Sequence, residues 1–420
     1  MRAIFSSYGS LGDIHPFLAI AKSLRTHGVE CVFITNISNA EAVKRAGFEA
    51  HGIATDVSVL FERAGLPGEA AIEATHEDVR VFWRLCMPEF SGYLQDVDDI
   101  VGDASVIISP PWAFNVQSIA EKRGIPFVGT HLWPLGFLSA YDPPVLRDLP
   151  GLIKQPSSKV AVAWNSFVVF CAKKAMKPLF SKYLNPPRLA YGLGKVSRPP
   201  VLDFLVEPEL VLGLFSEHFA PRTPDMPEKS DLTGFPTMQN SAPKYDAELD
   251  AFMDKEPIVF TLGSILSKNP GTFYTTSVAA AQSLGINALI LTDNPSLIPQ
   301  TPGVLVRGYV PHSEVFPRAR VIVHHGGIGT TAQALRSGKP QLVVPHFGDQ
   351  PDNGARVEKL GLGRVLPSTD YSTTRAVAIL SEIVSSQSQK DRALYFKSKI
   401  DSENGADHAA DIIFKMITTG

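Results

Sequence analysis

Cysteine, charge and long apolar runs are all scarce in this sequence, and each shortage excludes a class of protein. The chain has three cysteines in 420 residues, too scattered for a disulfide framework or a metal-ligand motif, which is typical of a reducing, cytoplasmic setting. Charged residues make up 19% and the formal net charge is −3, so the basic excess of a nucleic-acid-binding protein is missing. The apolar run after Met1 is too short to form the core of a signal peptide. We therefore expect a cytoplasmic protein without a nucleic-acid partner.

The most apolar stretch runs from Val160 to Ala172 and is interrupted by Asn165 and Ser166. It is flanked by lysines at positions 159, 173, 174 and 177. A bilayer-spanning helix needs roughly 20 apolar residues, so this stretch is too short to cross a membrane. We predict a buried helix here, with a helix that faces lipid as the alternative. A peripheral contact with a membrane is the most that the stretch indicates.

Short apolar segments alternate with helical patterns along the chain. Ala3–Ser7 and Glu30–Thr35 are the first predicted strands, and a helix over Pro16–Thr26 lies between them. Further strands are predicted at 106–109, 126–129, 258–264, 288–292, 304–306, 321–324 and 341–345. Strands that alternate with helices form parallel βαβ units, and the chain is too long for one ordinary domain. We predict an α/β protein of two Rossmann-like, doubly wound domains that face each other across a cleft.

A proline-rich segment with little periodicity separates the two halves of this pattern. Residues 219–246 contain it, and we predict that they form an interdomain linker. The predicted domains are then residues 1–218 and 247–400. Residues 401–420 are predicted to form a helix that packs back on the first domain.

A glycine-rich turn follows the predicted strand 321–324. The segment His324-His325-Gly326-Gly327-Ile328-Gly329-Thr330-Thr331 leads into a helix that is closed by Gly338. The N-terminus of a helix presents free N–H groups and a favourable dipole to an anion, and glycine lets the backbone approach phosphate oxygens closely. An empty βα turn capped by the histidines is the alternative interpretation. A second polar loop, 345–356, follows the next strand and contains Asp349 and Gln350. Ligands of doubly wound sheets bind at such strand ends, so the pair of loops favours a phosphate and sugar site.

The segment from Tyr309 to Gln350 resembles the donor-binding signature of the UDP-glycosyltransferase superfamily. The matching parts are Tyr309-Val310-Pro311-His312, His325-Gly326-Gly327-Ile328-Gly329-Thr330 and Asp349-Gln350. The chain is most similar to bacterial and sterol-type members and to the rhamnosyltransferase of rhamnolipid synthesis. The rhamnosyltransferase resemblance extends to Ser139-Ala140, Pro143-Pro144-Val145, Phe219-Ala220-Pro221 and Thr233-Gly234-Phe235-Pro236. The resemblance implies the GT-B fold, with an acceptor in the first domain and a nucleotide-sugar in the second.

The resemblance also implies a set of donor-binding residues. In it, His325 contacts the α-phosphate, and His324 takes that role if the register shifts by one residue. Asp349 and Gln350 bind sugar hydroxyls. The family's ribose-binding glutamate falls on Gln333, which leaves UDP and dTDP both open. The implied donor residues are Ser264, Tyr309, Val310, His324, His325, Gly327, Gly329, Thr330, Asp349 and Gln350.

Asp13 is the candidate catalytic base, in the segment Gly9-Ser10-Leu11-Gly12-Asp13-Ile14-His15-Pro16. Its position alone suits a first-turn acid near a proline, which is a purely structural role. The resemblance places it where plant members carry their catalytic histidine and where bacterial and sterol members carry aspartate. His15 is the alternative base, because the ordinary pKa of histidine lies closer to neutrality. The neighbourhood 108–112 lacks the second acid of the plant enzymes, so an aspartate that acts alone is expected.

The expected function is inverting transfer of a hexose from a UDP- or dTDP-sugar to a hydroxyl of a lipophilic small molecule or lipid. No metal and no resident cofactor are expected, because Asp96-Val97-Asp98, which spells a metal-binding Asp-x-Asp, lies in an amphipathic helical stretch. A sugar-nucleotide 2-epimerase and a non-catalytic nucleotide-sugar-binding subunit are the alternatives. The predicted acceptor-pocket residues are Trp112, Asn115, His131, Trp133 and Phe137.

Overall fold

The computed structural model describes residues 1–66, 69–146, 151–196, 200, 202–238, 246–263, 270–298, 301–308 and 310–419. These residues divide into two compact units. The first comprises Met1–Pro67, Glu73–Met238 and Glu403–Gly420, and the second comprises Gly68–Ile72 and Gln239–Ser402. In the described part of the chain, no helix is both long enough and apolar enough to cross a membrane.

The first unit is built on a parallel sheet in the order β3-β2-β1-β4-β5-β6-β7. Its strands are β1 Arg2–Ser7, β2 Glu30–Asn36, β3 Glu49–Ala54, β4 Val106–Ser109, β5 Phe127–His131, β6 Leu210–Gly213 and β7 Ser230–Leu232. The helices of the N-terminal half are α1 Leu11–Thr26, α2 Ile37–Arg45, α3 Val57–Arg63, α4 Glu69–Glu77, α5 Arg80–Ser91, α6 Leu94–Val101, α7 Phe114–Arg123 and α8 Lys159–Ala190, with a 3₁₀ turn at Pro134–Phe137.

The second unit has a parallel sheet in the order β10-β9-β8-β11-β12-β13. Its strands are β8 Ile258–Thr261, β9 Ala288–Leu291, β10 Val304–Arg307, β11 Val321–His324, β12 Gln341–Val343 and β13 Gly363–Val365. Its helices are α9 Ala247–Met253, α10 Phe273–Ser283, α11 His312–Val315, α12 Ile328–Ser337, α13 Gln350–Lys359, α14 Thr373–Ser385 and α15 Gln387–Ile400. Short 3₁₀ turns lie at Pro295–Leu297, Phe316–Arg318 and Ser368–Asp370.

Helices cover both faces of the second sheet, so its strands are apolar on both sides. Phe260 and Val323 belong to one core cluster, while their chain neighbours Val259 and Ile322 belong to another. Successive side chains of a strand point to opposite faces, and both faces are buried here. This is why uninterrupted apolar runs, rather than alternating ones, predict these strands.

The last helix, α16 (Gly405–Thr419), belongs to the first unit and packs on α1. The ring of His27, just after α1, stacks on Phe414 at 4.7 Å and its Nε2 lies 3.1 Å from the Asp411 carboxylate. Ala409, Ala410 and Ile413 of α16 are fully buried.

Residues 219–238, part of the predicted linker, are built into the first unit. β7 pairs with β6 as the edge strand of its sheet, and Phe219 packs against Phe235 with ring centroids 5.9 Å apart. The proline-rich sequence predicts an irregular linker between the domains. In the structure, residues 219–238 instead pack on the first unit and contribute its edge strand.

Candidate active site

Both sheets reverse their strand order at one point, and the candidate site residues follow the strands at those points. In the first sheet the reversal lies between β1 and β4, which precede Asp13 and Trp112 respectively. In the second it lies between β8 and β11, which precede Gly263 and His325. Ligands of open α/β sheets bind at the carboxyl ends of strands at such switch points.

The imidazole of His325 lies between two glycines. A Cβ atom on Gly263 would stand 2.6 Å from its Cε1, and a Cβ atom on Gly327 would stand 2.5 Å from its Nε2. Gly263 also has a φ of 69°, a left-handed conformation that glycine adopts at little cost. The ring therefore fits only because both positions lack a side chain.

The imidazole of His325 lies among other histidines and is held uncharged. Its Nδ1 is buried and has no hydrogen-bond partner among the described residues. Burial, followed by the charges that His324, His346 and His312 would carry, lowers the pKa of His325 well below its ordinary value. A neutral imidazole carries one N–H proton, which it can donate to a phosphate oxygen.

His324 occupies a different environment and holds the turn. It is fully buried, its Nδ1 accepts from the Gly326 N–H at 3.1 Å, and its Nε2 lies 2.9 Å from Oε1 of Gln341. Because Nδ1 accepts, the proton is on Nε2 and is donated to Gln341. Both ring nitrogens of His324 thus have partners inside the protein. His324 is therefore not available to bind the phosphate of a nucleotide-sugar, contrary to its prediction as a donor-binding residue.

The loop that contains Asp349 and Gln350 is joined to the glycine turn by Asn353. Its Nδ2 donates to the Gly326 carbonyl at 2.9 Å and to Oδ2 of Asp349 at 2.6 Å. Asn353 is fully buried, and its Oδ1 has no partner among the described residues. Asn353 is not among the residues predicted from the sequence, although its spacing of four from Asp349 at a helix start is a usable signal.

Gln350 supports the loop from within. Its Oε1 accepts from the N–H groups of His346 at 2.8 Å and Phe347 at 3.2 Å, and the residue is 4% exposed. Gly326, with a φ of 91°, lies so close that a Cβ atom there would stand 3.0 Å from the Gln350 carbonyl oxygen. The structure therefore brings the two loops together. The side-chain oxygen of Gln350 accepts hydrogen bonds from its own loop.

The N-terminus of α12 opens next to His325. Gly327 is the N-cap residue, and the first-turn N–H groups of Ile328, Gly329 and Thr330 have no intrahelical acceptor. Gly329 is exposed, Thr330 is buried, and the buried hydroxyl of Thr331 has no partner among the described residues. A helix N-terminus with free amides of this kind offers hydrogen-bond donors to an anion.

Three further residues were predicted to bind the nucleotide-sugar: Ser264, Tyr309 and Val310. Ser264 and Tyr309 lie outside the described residues. Val310 is partly buried and packs against the core cluster that contains Leu249 and Phe316.

In the first unit, Asp13 takes part in a capping box at the start of α1. Its Oδ2 accepts from the Ser10 backbone N–H at 2.7 Å and from the Ser10 hydroxyl at 2.9 Å. Burial raises the pKa of Asp13 above its ordinary value, although the hydrogen bonds from Ser10 act in the opposite direction. His15, the alternative base, is exposed on the first turns of the same helix.

Trp112 and Asn115 support the loop that leads to Asp13. The Trp112 indole donates to the Tyr8 carbonyl at 3.0 Å, and Asn115 Nδ2 donates to the Tyr8 hydroxyl at 2.7 Å. Trp133 stacks on Trp112, with ring centroids 5.1 Å apart and an interplanar angle of 11°. The indole nitrogen of Trp133 is buried without a partner among the described residues.

His131 and Phe137 form a neighbouring aromatic cluster. Their rings lie 4.5 Å apart, and Phe204 lies 5.2 Å from His131 on another side. Burial lowers the pKa of His131 to about 3, so this ring is an uncharged part of the cluster.

The Asp-x-Asp sequence lies on a helix, as predicted. Asp98 belongs to α6, where it pairs with Arg123 at 3.1 Å and accepts from the Tyr191 hydroxyl. Within the described ranges, no three His, Cys, Asp or Glu side chains converge as a metal site.

Comparison with known proteins connects both units to one superfamily. Residues 279–415 match the family model for the C-terminal domain of erythromycin biosynthesis protein CIII-like proteins. A sterol 3-beta-glucosyltransferase of Pichia angusta is 26% identical over 98% of this chain and 33% of its own length. The O-mycaminosyltylonolide 6-deoxyallosyltransferase of Streptomyces fradiae is 25% identical over 100% of this chain and 98% of its own.

This chain thus spans about one third of the length of the sterol glucosyltransferase. Among solved structures, a spinosyn rhamnosyltransferase complexed with thymidine diphosphate has a TM-score of 0.70 at 17% identity, covering 99% of this chain and 100% of its own. The two parallel sheets and their helices confirm the predicted GT-B fold. These matches support the assignment of the chain to the UDP-glycosyltransferase superfamily.

Proposed function

We propose that this protein is an inverting, metal-independent glycosyltransferase that moves a hexose from a UDP- or dTDP-sugar to a hydroxyl of a lipophilic acceptor. The observation that carries the proposal is the position of His325, an uncharged imidazole held between Gly263 and Gly327 at the N-terminus of α12. The nucleotide-sugar is a co-substrate in this proposal, and no resident cofactor is required.

In the second unit, negative charge that develops on the departing diphosphate would be stabilised by fixed donors. His325 directly precedes the first turn of α12, so we assign its N–H and the free first-turn amides to the same phosphate, and the helix dipole adds to their effect. Donors that are already oriented need no rearrangement as the charge forms, which is the basis of oxyanion-type stabilisation. Asp349, held by Asn353, is the residue that we assign to the sugar hydroxyls.

In the first unit, Asp13 is the proposed general base. A base is most effective when its pKa lies near the working pH, and burial moves the pKa of Asp13 in that direction. Both bonds from Ser10 go to Oδ2, so we assign Oδ1 as the oxygen that receives the acceptor proton. The deprotonated hydroxyl then attacks the anomeric carbon from the side opposite the diphosphate, which inverts its configuration.

The stacked indoles of Trp112 and Trp133 provide the apolar surface expected for the acceptor. The Trp133 N–H, which has no partner among the described residues, offers one hydrogen bond to an acceptor oxygen. The two relatives are named for a sterol and for O-mycaminosyltylonolide, both hydroxyl-bearing molecules. Their names support a lipophilic alcohol as the acceptor class.

Calorimetric titration with UDP and with dTDP tests the donor site. We expect one of them to bind, and we expect His325→Ala to weaken that binding at least about tenfold, since it removes a donor to a charged group. His218→Ala, at an exposed histidine of the first unit, is the matched control and should bind normally. Equal affinity of the His325 variant and the parent would refute this assignment.

Assays with and without an acceptor test the reaction class. Glycosyl transfer predicts a glycosylated acceptor; the inverting mechanism predicts product of inverted anomeric configuration, readable by NMR, and metal independence predicts turnover that persists in EDTA. Conversion of the nucleotide-sugar to an epimer without acceptor would instead support the 2-epimerase alternative. Tight binding without any turnover would support the non-catalytic binding subunit.

A further inference from the structure

Helix α8 carries apolar residues on the outside of the molecule. Its buried residues are Asn165, Phe180, Leu184 and Arg188, so only Asn165 is buried in its N-terminal half. In the same half, Val160, Trp164, Phe167 and Phe170 are 79%, 48%, 56% and 55% exposed. The prediction of a buried helix for this stretch is therefore wrong. We call the exposed set the α8 face: Val160, Ala163, Trp164, Phe167, Phe170 and Cys171.

The spacing of these residues produces a continuous stripe. Positions 160, 164, 167 and 171 follow each other at intervals of four, three and four, which aligns them along one side of a helix. A stripe of large apolar side chains in water is unfavourable, and contiguous exposed apolar patches of this kind mark interaction surfaces.

Internal hydrogen bonds hold the α8 face outward. Asn165 points inward, where its Oδ1 accepts from the Ile153 N–H at 2.8 Å and its Nδ2 donates to the Ala140 carbonyl at 3.1 Å. The Trp164 indole donates to the Gly151 carbonyl at 2.8 Å, so its only polar group is already paired. The Trp164 ring can therefore enter an apolar phase without losing a hydrogen bond.

The C-terminal half of α8 anchors the helix to the first unit. Phe180 packs against Trp83 with ring centroids 5.2 Å apart. The Arg188 guanidinium, 4% exposed, binds both carboxylate oxygens of Glu121 at 2.8 and 2.9 Å. The C-terminal half of α8 is thus fixed to the first unit, while the N-terminal half presents its apolar side to solvent.

The charge of this region is of one sign. Residues 151–202 contain no aspartate or glutamate and nine lysines or arginines, in a chain with 42 acidic residues in total. Since the whole chain carries −3, the remainder carries −12. Lys159, Lys174, Lys177 and Lys182 of α8 are exposed. A basic, aromatic and apolar helix surface is complementary to anionic lipid headgroups.

We propose that the α8 face docks on the surface of an anionic lipid bilayer. Trp164 and Phe167 enter the headgroup region, and the lysines of α8 lie against lipid phosphates. Pairing of two copies through this face would bring two acid-free segments together, and their like charges would oppose association. The docking goes beyond the proposed function, and its test is independent of whether glycosyl transfer is correct.

Sedimentation of the full chain with lipid vesicles tests the proposal. We expect binding to vesicles of phosphatidylcholine mixed with phosphatidylglycerol, weak binding to phosphatidylcholine alone, and loss of binding as salt is raised.

Phe167→Ser should weaken binding about tenfold or more, because it removes an apolar anchor. Lys159→Gln with Lys174→Gln should weaken it about fivefold per lysine. Leu394→Ser is the matched control, since Leu394 is 57% exposed on the second unit, and it should bind as the parent does.

Trp164 provides a direct readout of insertion. It is the one tryptophan of four that is exposed, and all four lie in the described residues. Its emission should shift to the blue and be quenched by brominated lipid, and Trp164→Phe should remove both effects. The proposal is overturned if anionic vesicles do not bind, if Phe167→Ser binds as well as the parent, or if Phe167→Ser abolishes a dimer in solution. Turnover of a water-soluble acceptor should be unchanged in these variants, which separates failure of docking from failure of catalysis.

Discussion

At the scale of single residues, Asp13 serves both the helix and the proposed reaction with one carboxylate. It closes a capping box with Ser10, a stabilising arrangement for a helix N-terminus. Burial nevertheless raises its pKa, which means that the ionised form is disfavoured in the folded state. Since the folded pKa lies above the unfolded one, the free energy of unfolding decreases as pH rises through that interval. The protein thus retains a group that costs stability at neutral pH.

Asp13→Asn separates the two roles. The amide oxygen can still accept from Ser10, but it takes no proton, so we expect kcat to fall about 10²–10⁴-fold. The melting temperature at neutral pH should stay the same or rise, because the buried charge is removed. Steady-state kinetics and thermal unfolding measure the two effects. His15→Asn is the control, and a large loss of kcat there with near-normal turnover of the Asp13 variant would make His15 the base instead.

The two adjacent histidines show what sequence can and cannot resolve at this scale. The motif predicts that one of them faces a phosphate, but two identical residue types side by side do not reveal which. The decision depends on packing: His324 points into a buried pocket beside Gln341, whereas His325 lies between two glycines. Gln341 comes from the next strand, and no local pattern links it to His324.

At the scale of elements, the loop between β11 and α12 depends on glycine for the position of His325. Gly327→Ala would place a methyl group against Nε2 of His325, at 2.5 Å before any shift. We expect the ring to be displaced and the dissociation constant for the nucleotide to rise on the order of tenfold, as calorimetry would show.

Gly194→Ala is a suitable control for this substitution, because a methyl group there meets nothing within 4 Å. Undiminished nucleotide affinity of the Gly327 variant would show that the position of His325 is unimportant.

The same loop should be sensitive to acid through His324. Burial lowers the pKa of His324 to about 4, below its ordinary 6.5. Between these values the unfolded chain binds a proton that the folded chain does not, so the free energy of unfolding decreases as pH falls from 6.5 to 4. The full effect is on the order of 3 kcal/mol.

His324→Asn keeps an acceptor for the Gly326 N–H but cannot titrate. We expect hydrogen exchange in peptides from 321 to 344 to accelerate at acid pH in the parent and to change less in this variant, after correction for intrinsic rates. His218→Asn, at an exposed position, should behave like the parent. Identical pH profiles for the His324 variant and the parent would contradict the argument.

Elements were predictable where local pattern and burial agree. The strands Val106–Ser109 and Val321–His324 have the predicted bounds, because both faces of each sheet are covered and every residue is apolar or terminal. Helix α1 begins five residues before the predicted Pro16, since the capping box at Ser10 outweighs the proline as a start signal. The α8 stretch was predicted to be buried because composition alone does not show which face of a helix lacks a neighbour.

At the scale of the whole molecule, the chain order of βα units made two Rossmann-like domains predictable. The chain returns to the first unit at Glu403, through contacts that follow no such local order. Glu403 Oε1 accepts from the Ser216 hydroxyl at 2.6 Å, and Gly405 then passes close to the backbone of Gly234. These contacts join positions that are far apart in sequence, so no local pattern determines them.

Gly405→Ala tests this junction. The added Cβ would stand 2.7 Å from both the carbonyl carbon and the oxygen of Gly234, and 2.8 Å from the carbonyl carbon of Phe235. Because these are backbone atoms, they cannot turn away as a side chain could, and the start of α16 must move. Overpacking of this kind costs about 1–3 kcal/mol.

All four tryptophans, at positions 83, 112, 133 and 164, belong to the first unit, so tryptophan fluorescence reports its unfolding selectively. We expect the fluorescence midpoint in urea to fall in Gly405→Ala, while nucleotide affinity below the transition stays at the parent value. Gly194→Ala should leave the midpoint unchanged, and an unaltered midpoint in Gly405→Ala would mean that α16 contributes little to the stability of the first unit.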